Sequence, residues 1–264
     1  MSNNVIEVNN LTKIFNTKKG RFLALDNASF HLEEREFLAL VGPSGCGKST
    51  IIRMLDGIIP FSQGEINIFD KKFVKQVKGD ILKKMGFIFQ SPNLLPWLTV
   101  RQNMELPLKV YKLSGEQYQE NIRKLLKTID MEDYENAYPS DLSGGMVQRV
   151  GVVRAMVHNP DILFMDEPFG ALDDHSRETL DMETLQIWSE TKKSIIFITH
   201  NITEAVLMAS RVIVMGTDPG RILKEVKIDL PRPRRLEMID TPKFSELEDE
   251  IRDLIGKLDL SKIV

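Results

Sequence analysis

The feature that most constrains how this chain can fold is a glycine-rich segment directly after a short apolar run. Residues 37–41 are all apolar (FLALV), and a continuous apolar run of this length predicts a buried β-strand. Residues 49–56 predict a helix, with Gly57 just after its end. Strand, loop and helix in this order are typical of a parallel α/β core. The loop consists of Gly42, Pro43, Ser44, Gly45, Cys46, Gly47, Lys48, Ser49 and Thr50.

These nine loop residues match the phosphate-binding pattern G-x-x-x-x-G-K-[ST]. Glycines let the backbone turn tightly and bring successive N–H groups close to a phosphate. Lys48 can reach the β- and γ-phosphates of a nucleotide, and the hydroxyl of Ser49 can bind Mg²⁺. A glycine turn without a ligand is the alternative, but the strand before the loop and the helix after it favour phosphate binding. We therefore predict a nucleotide site.

A second strand ends in two acidic residues. Residues 162–165 are apolar (ILFM) and are followed by Asp166 and Glu167. Asp166, at the strand's C-terminal end, can help to hold Mg²⁺, and Glu167 is suited to polarise the water that attacks the γ-phosphate. An acidic turn at a strand end is common in isolation. Together with an intact phosphate loop, however, these carboxylates indicate an ATPase.

A third motif indicates the family. Residues 142–149 (LSGGMVQR) resemble the signature motif of ATP-binding cassette (ABC) proteins, and the resemblance covers nearly the whole chain. Gln90 resembles the Q-loop glutamine, His200 resembles the switch histidine, and Phe15 resembles the aromatic residue that stacks on adenine. The residues that resemble the D-loop are Ala171, Leu172 and Asp173.

The resemblance implies an α/β fold, a P-loop NTPase core with a mostly parallel sheet, an N-terminal antiparallel β subdomain and an inserted helical subdomain. It implies a single ABC nucleotide-binding domain over residues 1–264. In this division, residues 1–90 and 159–230 form the ATP-binding core with its antiparallel subdomain. Residues 91–158 form the helical signature subdomain, and residues 231–264 form a C-terminal extension.

The resemblance also implies a homodimer that sandwiches ATP. Residues 143–145 can open a helix whose N–H groups and dipole attract phosphate, and in the family this helix faces ATP held by the second subunit. The catalytic residues implied are Lys48, Gln90, Glu167 and His200, and the Mg²⁺ ligands implied are Ser49, Gln90 and Asp166. The ATP-binding residues implied are Phe15, the nine loop residues 42–50, Ser143, Gly144, Gly145 and Asp173.

Two interpretations stay open at this point. Phe22 follows Phe15 in a stretch rich in Thr, Lys and Gly that is predicted to be a loop, so either ring could stack on the base or belong to the core. Residues 91–98 (SPNLLPWL) are apolar and broken by two prolines. They form either a buried connection or a docking surface for a membrane partner, because apolar and aromatic residues gather at interface cores. The resemblance favours docking.

Within the family, the chain resembles the ATPase subunits of the nitrate/sulfonate/taurine importer group. The residues that carry this lie at 94–100, 165–173, 199–205 and 230–234, although Val147 and Asn201 depart from the common pattern. The resemblance implies import of a small anionic or organic solute. The implied partners are two integral-membrane permease subunits and, indirectly, an extracytoplasmic substrate-binding protein. The alternatives are an exporter or lipid-transport ATPase and a soluble, non-transport ABC ATPase.

Composition is consistent with this interpretation. The 264 residues can bury one large core, and the net charge of −3 gives no basic field for nucleic acid. No apolar run approaches the roughly 18 residues of a transmembrane helix, and the N-terminal residues do not resemble a signal peptide. The single cysteine is consistent with a reducing compartment. We therefore expect a peripheral protein on the cytoplasmic face of the inner membrane.

Overall fold

The computed structural model describes residues 3–18, 20–170 and 172–260. The described residues form two compact units. The first unit takes its residues from 1–82 and 194–264, and the second from 83–193. The second unit therefore includes residues 83–90 and 159–193, which the sequence analysis assigns to the ATP-binding core. That functional division stays a prediction.

The secondary structure alternates between strands and helices along the chain. The strands are β1 (Asn4–Thr17), β2 (Gly20–Glu33), β3 (Phe37–Val41), β4 (Gln63–Ile68), β5 (Lys71–Phe73), β6 (Met85–Ile88), β7 (Ile162–Asp166), β8 (Ser194–Ile198), β9 (Arg211–Gly216) and β10 (Arg221–Lys227). The helices are α1 (Lys48–Leu55), α2 (Val100–Tyr111), α3 (Glu116–Thr128), α4 (Gly144–Arg154), α5 (Asp174–Thr191), α6 (Ile202–Met208) and α7 (Pro242–Leu260).

An antiparallel sheet in the first unit has the strand order β2-β1-β4-β5. The pairing of β1 with β2 continues to Thr17 opposite Gly20. The prediction that Phe22 lies in a loop is therefore wrong, because Phe22 lies within β2 and pairs with Phe15 of β1. The backbone pairing of β1 with β2 extends to Thr17 and Gly20 and overrides the loop-like composition of these strand ends.

The phosphate-loop strand lies at the centre of the parallel strands of the first unit. There the order is β10-β9-β3-β8, with β3 parallel to both β8 and β9, and β10 antiparallel to β9. Every residue of β3 is buried. A strand covered on both faces needs apolar side chains throughout, which explains the uninterrupted FLALV run. The loops after β3 and β8 leave the sheet at the same edge, because these strands are parallel.

The helix after the phosphate loop begins at Lys48, one residue before the predicted start, and ends at Leu55. Asp56 follows as the C-terminal cap, and Gly57 has a left-handed backbone with φ +72°. A Cβ at Gly57 would lie 2.3 Å from the carbonyl oxygen of Val77. Both the backbone conformation and the space therefore require glycine there.

The second unit contains one parallel strand pair and most of the long helices. β6 and β7 pair in parallel, and α2, α3, α4 and α5 accompany them. The start of α2 is a capping box, in which Thr99 accepts from the backbone N–H of Gln102 and the Gln102 side chain accepts from the N–H of Thr99. None of the helices within the described ranges is long and apolar enough to cross a membrane.

The C-terminal helix α7 packs against α6 and the strands β9 and β10 of the first unit. Its buried residues Phe244, Leu247 and Ile251 are spaced three and four residues apart, so they form one apolar stripe. The helix is therefore docked onto the fold rather than projecting from it.

We expect Asp56→Asn to stabilise the protein in a pH-dependent way. Burial raises the pKa of Asp56 to about 7, whereas an unfolded aspartate titrates near 4. The folded carboxyl keeps its proton between these values, so stability falls as pH rises from 4 to 7 and then levels off. The shift spans about three pKa units of about 1.4 kcal/mol each, so the amide should gain up to about 4 kcal/mol at pH 8 and almost nothing at pH 4.

Urea unfolding at the two pH values measures this difference. The matched control is Asp70→Asn, which removes an exposed carboxylate from the same unit. An equal stability gain at both pH values would contradict burial of a titrating carboxyl at Asp56.

Candidate active site

The phosphate loop is folded around its own lysine. The Lys48 side chain is buried, and its ammonium donates to the carbonyl oxygens of Gly42 at 2.7 Å and Pro43 at 3.2 Å. A buried ammonium needs acceptors to offset its lost hydration, and the loop carbonyls supply them. The positive charge that nucleotide phosphates require is therefore held inside the loop.

The rim of this loop is open. Gly45 and Gly47 have left-handed φ angles of +82° and +97°. Ser44 and Gly45 are exposed, and a Cβ at Gly45 would have no atom within 4 Å. Since no side chain covers Gly45, a phosphate can approach the backbone closely. The donor set, one ammonium with loop N–H groups and the hydroxyls of Ser49 and Thr50, fits a triphosphate and Mg²⁺.

The only cysteine of the chain, Cys46, is buried within this loop. Burial raises the pKa of its thiol, and the nearby Lys48 ammonium opposes that effect only in part. A thiol that stays protonated is a poor nucleophile. Cys46 therefore packs as a small apolar group rather than acting as a reactive residue.

The loop that carries His200 leaves the sheet of the first unit at the same edge as the phosphate loop. Leu40 of β3 pairs with Ile198 of β8, and the backbone N–H of Thr199 donates to the Leu40 carbonyl at 3.4 Å. Gly42 lies two residues after Leu40, and His200 lies two residues after Ile198. The His200 side chain is exposed. Ligands of α/β sheets bind at this carboxyl edge, which suits a residue that senses phosphate.

The two candidate stacking rings lie on one face of the β1–β2 ribbon. Phe15 and Phe22 are direct cross-strand partners, and such partners point to the same side of a sheet. Phe22 is 54% exposed, whereas Phe15 is half-buried. The ammonium of Lys13 lies 4.7 Å from the centroid of the Phe15 ring and donates to the Pro60 carbonyl at 2.6 Å. Both rings remain candidates for base stacking.

In the second unit, Asp166 ends β7 and Glu167 begins the turn after it. Glu167 has a left-handed φ of +47°, which is strained for a non-glycine residue. The turn is held by the Gly170 N–H, which donates to the Glu167 carbonyl at 3.2 Å, and by the buried ring of Phe169. The backbone that carries the Glu167 side chain is therefore locally constrained.

Gln148, whose contact the sequence analysis did not identify, is hydrogen-bonded to the turn that carries Glu167. It is a buried residue of α4, and its side-chain amide donates to the carbonyl of Pro168, next to Glu167. This contact links the signature helix to the turn that carries the acidic residue. The available signal was a polar residue on an otherwise apolar face of α4, but its partner lies twenty residues away in the chain.

The signature segment forms the exposed N-terminus of α4. The Ser143 hydroxyl accepts from the Met146 N–H at 3.3 Å, as an N-cap does. A Cβ at Gly144 or Gly145 would have no atom within 4 Å, so the first turn is uncovered. Arg149, further along the helix, makes a two-pronged ion pair with Glu183 of α5 at 2.6 and 3.0 Å.

Asp173 caps the N-terminus of α5. Its carboxylate accepts from the Ser176 N–H at 3.0 Å, and the hydrogen bonds to Ser176 lower the pKa of Asp173. The side chain is exposed. Ala171, the first residue of the predicted D-loop, lies outside the described residues.

Gln90 is exposed and follows β6 in the second unit. The segment after it, residues 91–98, is not a buried connection, because Trp97 is 69% exposed. Phe89, just before Gln90, is also 41% exposed. Exposed large apolar side chains in one segment are typical of an interaction surface, so the docking interpretation remains as the prediction.

Asn103 of α2 organises the loop that presents Trp97. Its buried side chain accepts from the Leu95 N–H at 2.7 Å and donates to the carbonyls of Leu95, Leu98 and Thr99 at 3.0–3.1 Å. One amide thus contacts four backbone groups of this segment, with its two N–H hydrogens shared among three carbonyls. Sequence patterns did not single out this residue.

Comparison with known proteins gives relatives that agree with one another in family. A profile of the family described as "ABC transporter" matches residues 25–170. An aliphatic sulfonates import ATP-binding protein of Bacillus cereus is 37% identical over 94% of this chain and 92% of its own length. A taurine import ATP-binding protein of Rhizobium johnstonii is 40% identical over 95% of this chain and 96% of its own length.

One solved structure has a similar fold over most of this chain. It is a dimeric, post-hydrolysis state of the ATP-binding cassette MJ0796 bound to ADP and Pi, with a TM-score of 0.74 and 32% identity. The similarity covers 86% of this chain and 100% of that one. The predicted α/β cassette fold with an antiparallel N-terminal sheet is thereby confirmed.

We expect Asn103→Leu to loosen the Trp97 loop and to cost about 2–4 kcal/mol, because backbone groups of the loop lose their buried partner. Tryptophan anisotropy in a Trp188→Phe background isolates Trp97, since the chain has two tryptophans. Asn121→Leu is the control, because Asn121 donates to the carbonyls of Met156 and Val157 and not to this loop. It should lower stability without lowering Trp97 anisotropy. Unchanged anisotropy in Asn103→Leu would contradict the positioning role.

Proposed function

This chain belongs to the ABC transporter family and is an ATPase of that family, and we propose that it is the ATP-hydrolysing subunit of an importer. It would couple ATP binding, dimer closure and hydrolysis to uptake of a small anionic or organic solute, like nitrate, a sulfonate or taurine, through a separate permease. The observation that carries this proposal is the similarity, over more than nine-tenths of both chains, to relatives named as import ATP-binding proteins.

ATP binding is assigned to the phosphate loop. In this proposal Lys48 exchanges its loop carbonyl partners for oxygens of the β- and γ-phosphates, while backbone N–H groups of the loop after Pro43 donate to the phosphates. Phe15 or Phe22 stacks on the base. The pre-positioned ammonium and the open rim at Gly45 support this assignment.

Mg²⁺ binding is assigned to Ser49, Gln90 and Asp166. A hydroxyl, an amide oxygen and one carboxylate are oxygen donors of the kind that Mg²⁺ takes when substrate phosphates and water supply the remaining ligands. When bound, the ion neutralises charge on the β- and γ-phosphates.

Glu167 and His200 are assigned to the hydrolytic step. Glu167 accepts a proton from the attacking water as general base, and His200 donates a hydrogen bond to the γ-phosphate. The constrained backbone at Glu167 supports this role, since a base must be held within hydrogen-bond reach of its water.

The second half of each ATP site is assigned to a second copy of the chain. Ser143, Gly144 and Gly145 present uncovered N–H groups at the positive end of α4, which suits the γ-phosphate held by the partner subunit. Asp173, which resembles the last residue of the D-loop, is assigned to the same ATP site. The dimeric state of the similar solved structure supports a dimer for this chain.

The permease contact is assigned to residues 91–98. An exposed tryptophan on a loop stiffened by Asn103 is a suitable anchor for a protein interface, because aromatic residues dominate binding hot spots. This contact would hold the chain on the cytoplasmic face of the inner membrane, with the extracytoplasmic substrate-binding protein engaged only through the permease. An exporter or a soluble ABC ATPase is the competing function.

We expect Glu167→Gln to slow ATP turnover by roughly 10²–10⁴-fold while ATP binding is retained, because only the general base is lost. The variant should accumulate as an ATP-bound dimer, which gel filtration with Mg-ATP measures. Glu178→Gln is the control, since it removes one exposed carboxylate from α5. Lys48→Ala should instead lose nucleotide binding. Near-normal turnover in Glu167→Gln would contradict the assignment of Glu167 as general base.

We expect a tagged Glu167→Gln chain, expressed in its native host and solubilised gently with Mg-ATP, to recover a stoichiometric polytopic permease. Adding Trp97→Ala should reduce that recovery by about tenfold, because the interface loses its aromatic anchor. Tyr134→Ala is the control, as Tyr134 is another exposed aromatic residue of the second unit. Mass spectrometry identifies the partners. Recovery of soluble partners alone would favour a cytosolic ABC ATPase.

A further inference from the structure

The C-terminal extension contacts both ends of α6, the short helix that follows His200. We propose that Glu248 of α7, acting through Thr203, is a positioning residue that holds the His200 loop for ATP hydrolysis. The inference rests on the proposed function, in which His200 contacts the γ-phosphate. It gives the docked C-terminal helix a role that the sequence analysis left unassigned.

His200 is fastened to the first turn of α6 by its two neighbours. The buried Thr199 hydroxyl donates to the Glu204 carboxylate at 2.5 Å and accepts from the Asn201 N–H at 2.9 Å. The Asn201 side chain accepts from the N–H groups of Thr203 at 2.9 Å and Glu204 at 3.3 Å. The side chains on both sides of His200 are thus hydrogen-bonded to the first turn of α6, so we expect a displacement of the helix start to displace the histidine.

The start of α6 is in turn held by α7. The Thr203 hydroxyl donates to the Glu248 carboxylate at 2.5 Å. A hydrogen bond to an ionised acceptor is about twice as strong as a neutral one. Glu248 itself is held in place because the stripe of Phe244, Leu247 and Ile251 beside it is buried. The distance between Thr203 and Glu248 along the chain is 45 residues, so this contact is a tertiary one.

The end of α6 is held by the segment that leads to α7. Arg232 donates to the Met208 carbonyl at 2.8 Å and to the Ser210 hydroxyl at 3.2 Å. Arg234, which is buried, donates to the Ala209 carbonyl at 3.1 Å. Guanidinium groups at a helix C-terminus satisfy its last carbonyls and complement its dipole. Segments beyond residue 230 therefore fix both ends of this seven-residue helix.

The test compares Thr203→Val, which keeps shape but removes the hydroxyl, with Thr203→Ser, which keeps the hydroxyl. In the purified full chain, Thr203→Val should lower kcat for ATP about 3- to 10-fold with KM unchanged, the loss expected for one hydrogen bond that acts on orientation. Glu248→Ala should match it, and Thr203→Ser should restore turnover. Glu250→Ala is the matched control, because Glu250 of the same helix pairs with Lys224 of β10 at 2.7 Å and not with α6.

A double-mutant comparison tests whether the effect passes through His200. In a His200→Ala background, Thr203→Val should cause no further loss of kcat. If the two losses multiply, or if Thr203→Val has normal turnover while His200→Ala does not, the positioning role is overturned and the proposed function stands. If His200→Ala itself turns over normally, the assigned role of His200 fails first and the inference fails with it.

Histidine NMR gives a readout that does not depend on activity. The chain has four histidines, so the His200 resonance can be assigned by its loss in His200→Ala. Thr203→Val and Glu248→Ala should shift or broaden the His200 resonance and leave those of His31, His158 and His175 unchanged. An unchanged His200 resonance would overturn the inference, and changes at all four histidines would indicate general misfolding, which also contradicts it.

Discussion

The buried parallel pairing of β3 with β8 and β9 is the constraint on which the first unit depends. Because β3 is covered on both faces, its sequence must be apolar, and its polar chemistry is displaced to the loop beyond its carboxyl end. The register of Leu40 with Ile198 then brings the loop of Lys48 and the loop of His200 to one edge. The hydrophobic core thus decides where the groups proposed to bind phosphate emerge.

In both units, buried polar side chains hold irregular loops in place. Irregular loops carry carbonyls that need partners, and three of the loops described are held by a buried side-chain donor from a helix. Lys48 serves the phosphate loop, Gln148 serves the turn of Glu167, and Asn103 serves the loop of Trp97. Since removing such a donor leaves the carbonyls unsatisfied, these contacts rigidify the loops more than apolar packing would.

Local sequence patterns predicted the elements and motifs whose physics is local. The strand-loop-helix around Lys48 and the acidic end of β7 required only apolar periodicity and turn residues, and the cassette fold followed from the ordered motifs. The contacts of Gln148, Asn103 and Glu248 could not be predicted, because each joins residues that only tertiary packing brings together. The pairing of Phe15 with Phe22 was missed for a different reason, since strand pairing outweighed loop-like composition.

The facing pair of phenylalanines has a consequence for nucleotide choice. One face of the Phe15 ring is occupied by the Lys13 ammonium, and Phe22 adds a second hydrocarbon surface on the same side of the ribbon. Every nucleobase has a π-face, so stacking on such a surface is tolerant of base identity. Neither ring carries a donor or acceptor that reads the edge of a purine. In the proposed base stacking, this pair would therefore bind adenine and guanine equally well. Any preference between their triphosphates would have to come from other residues.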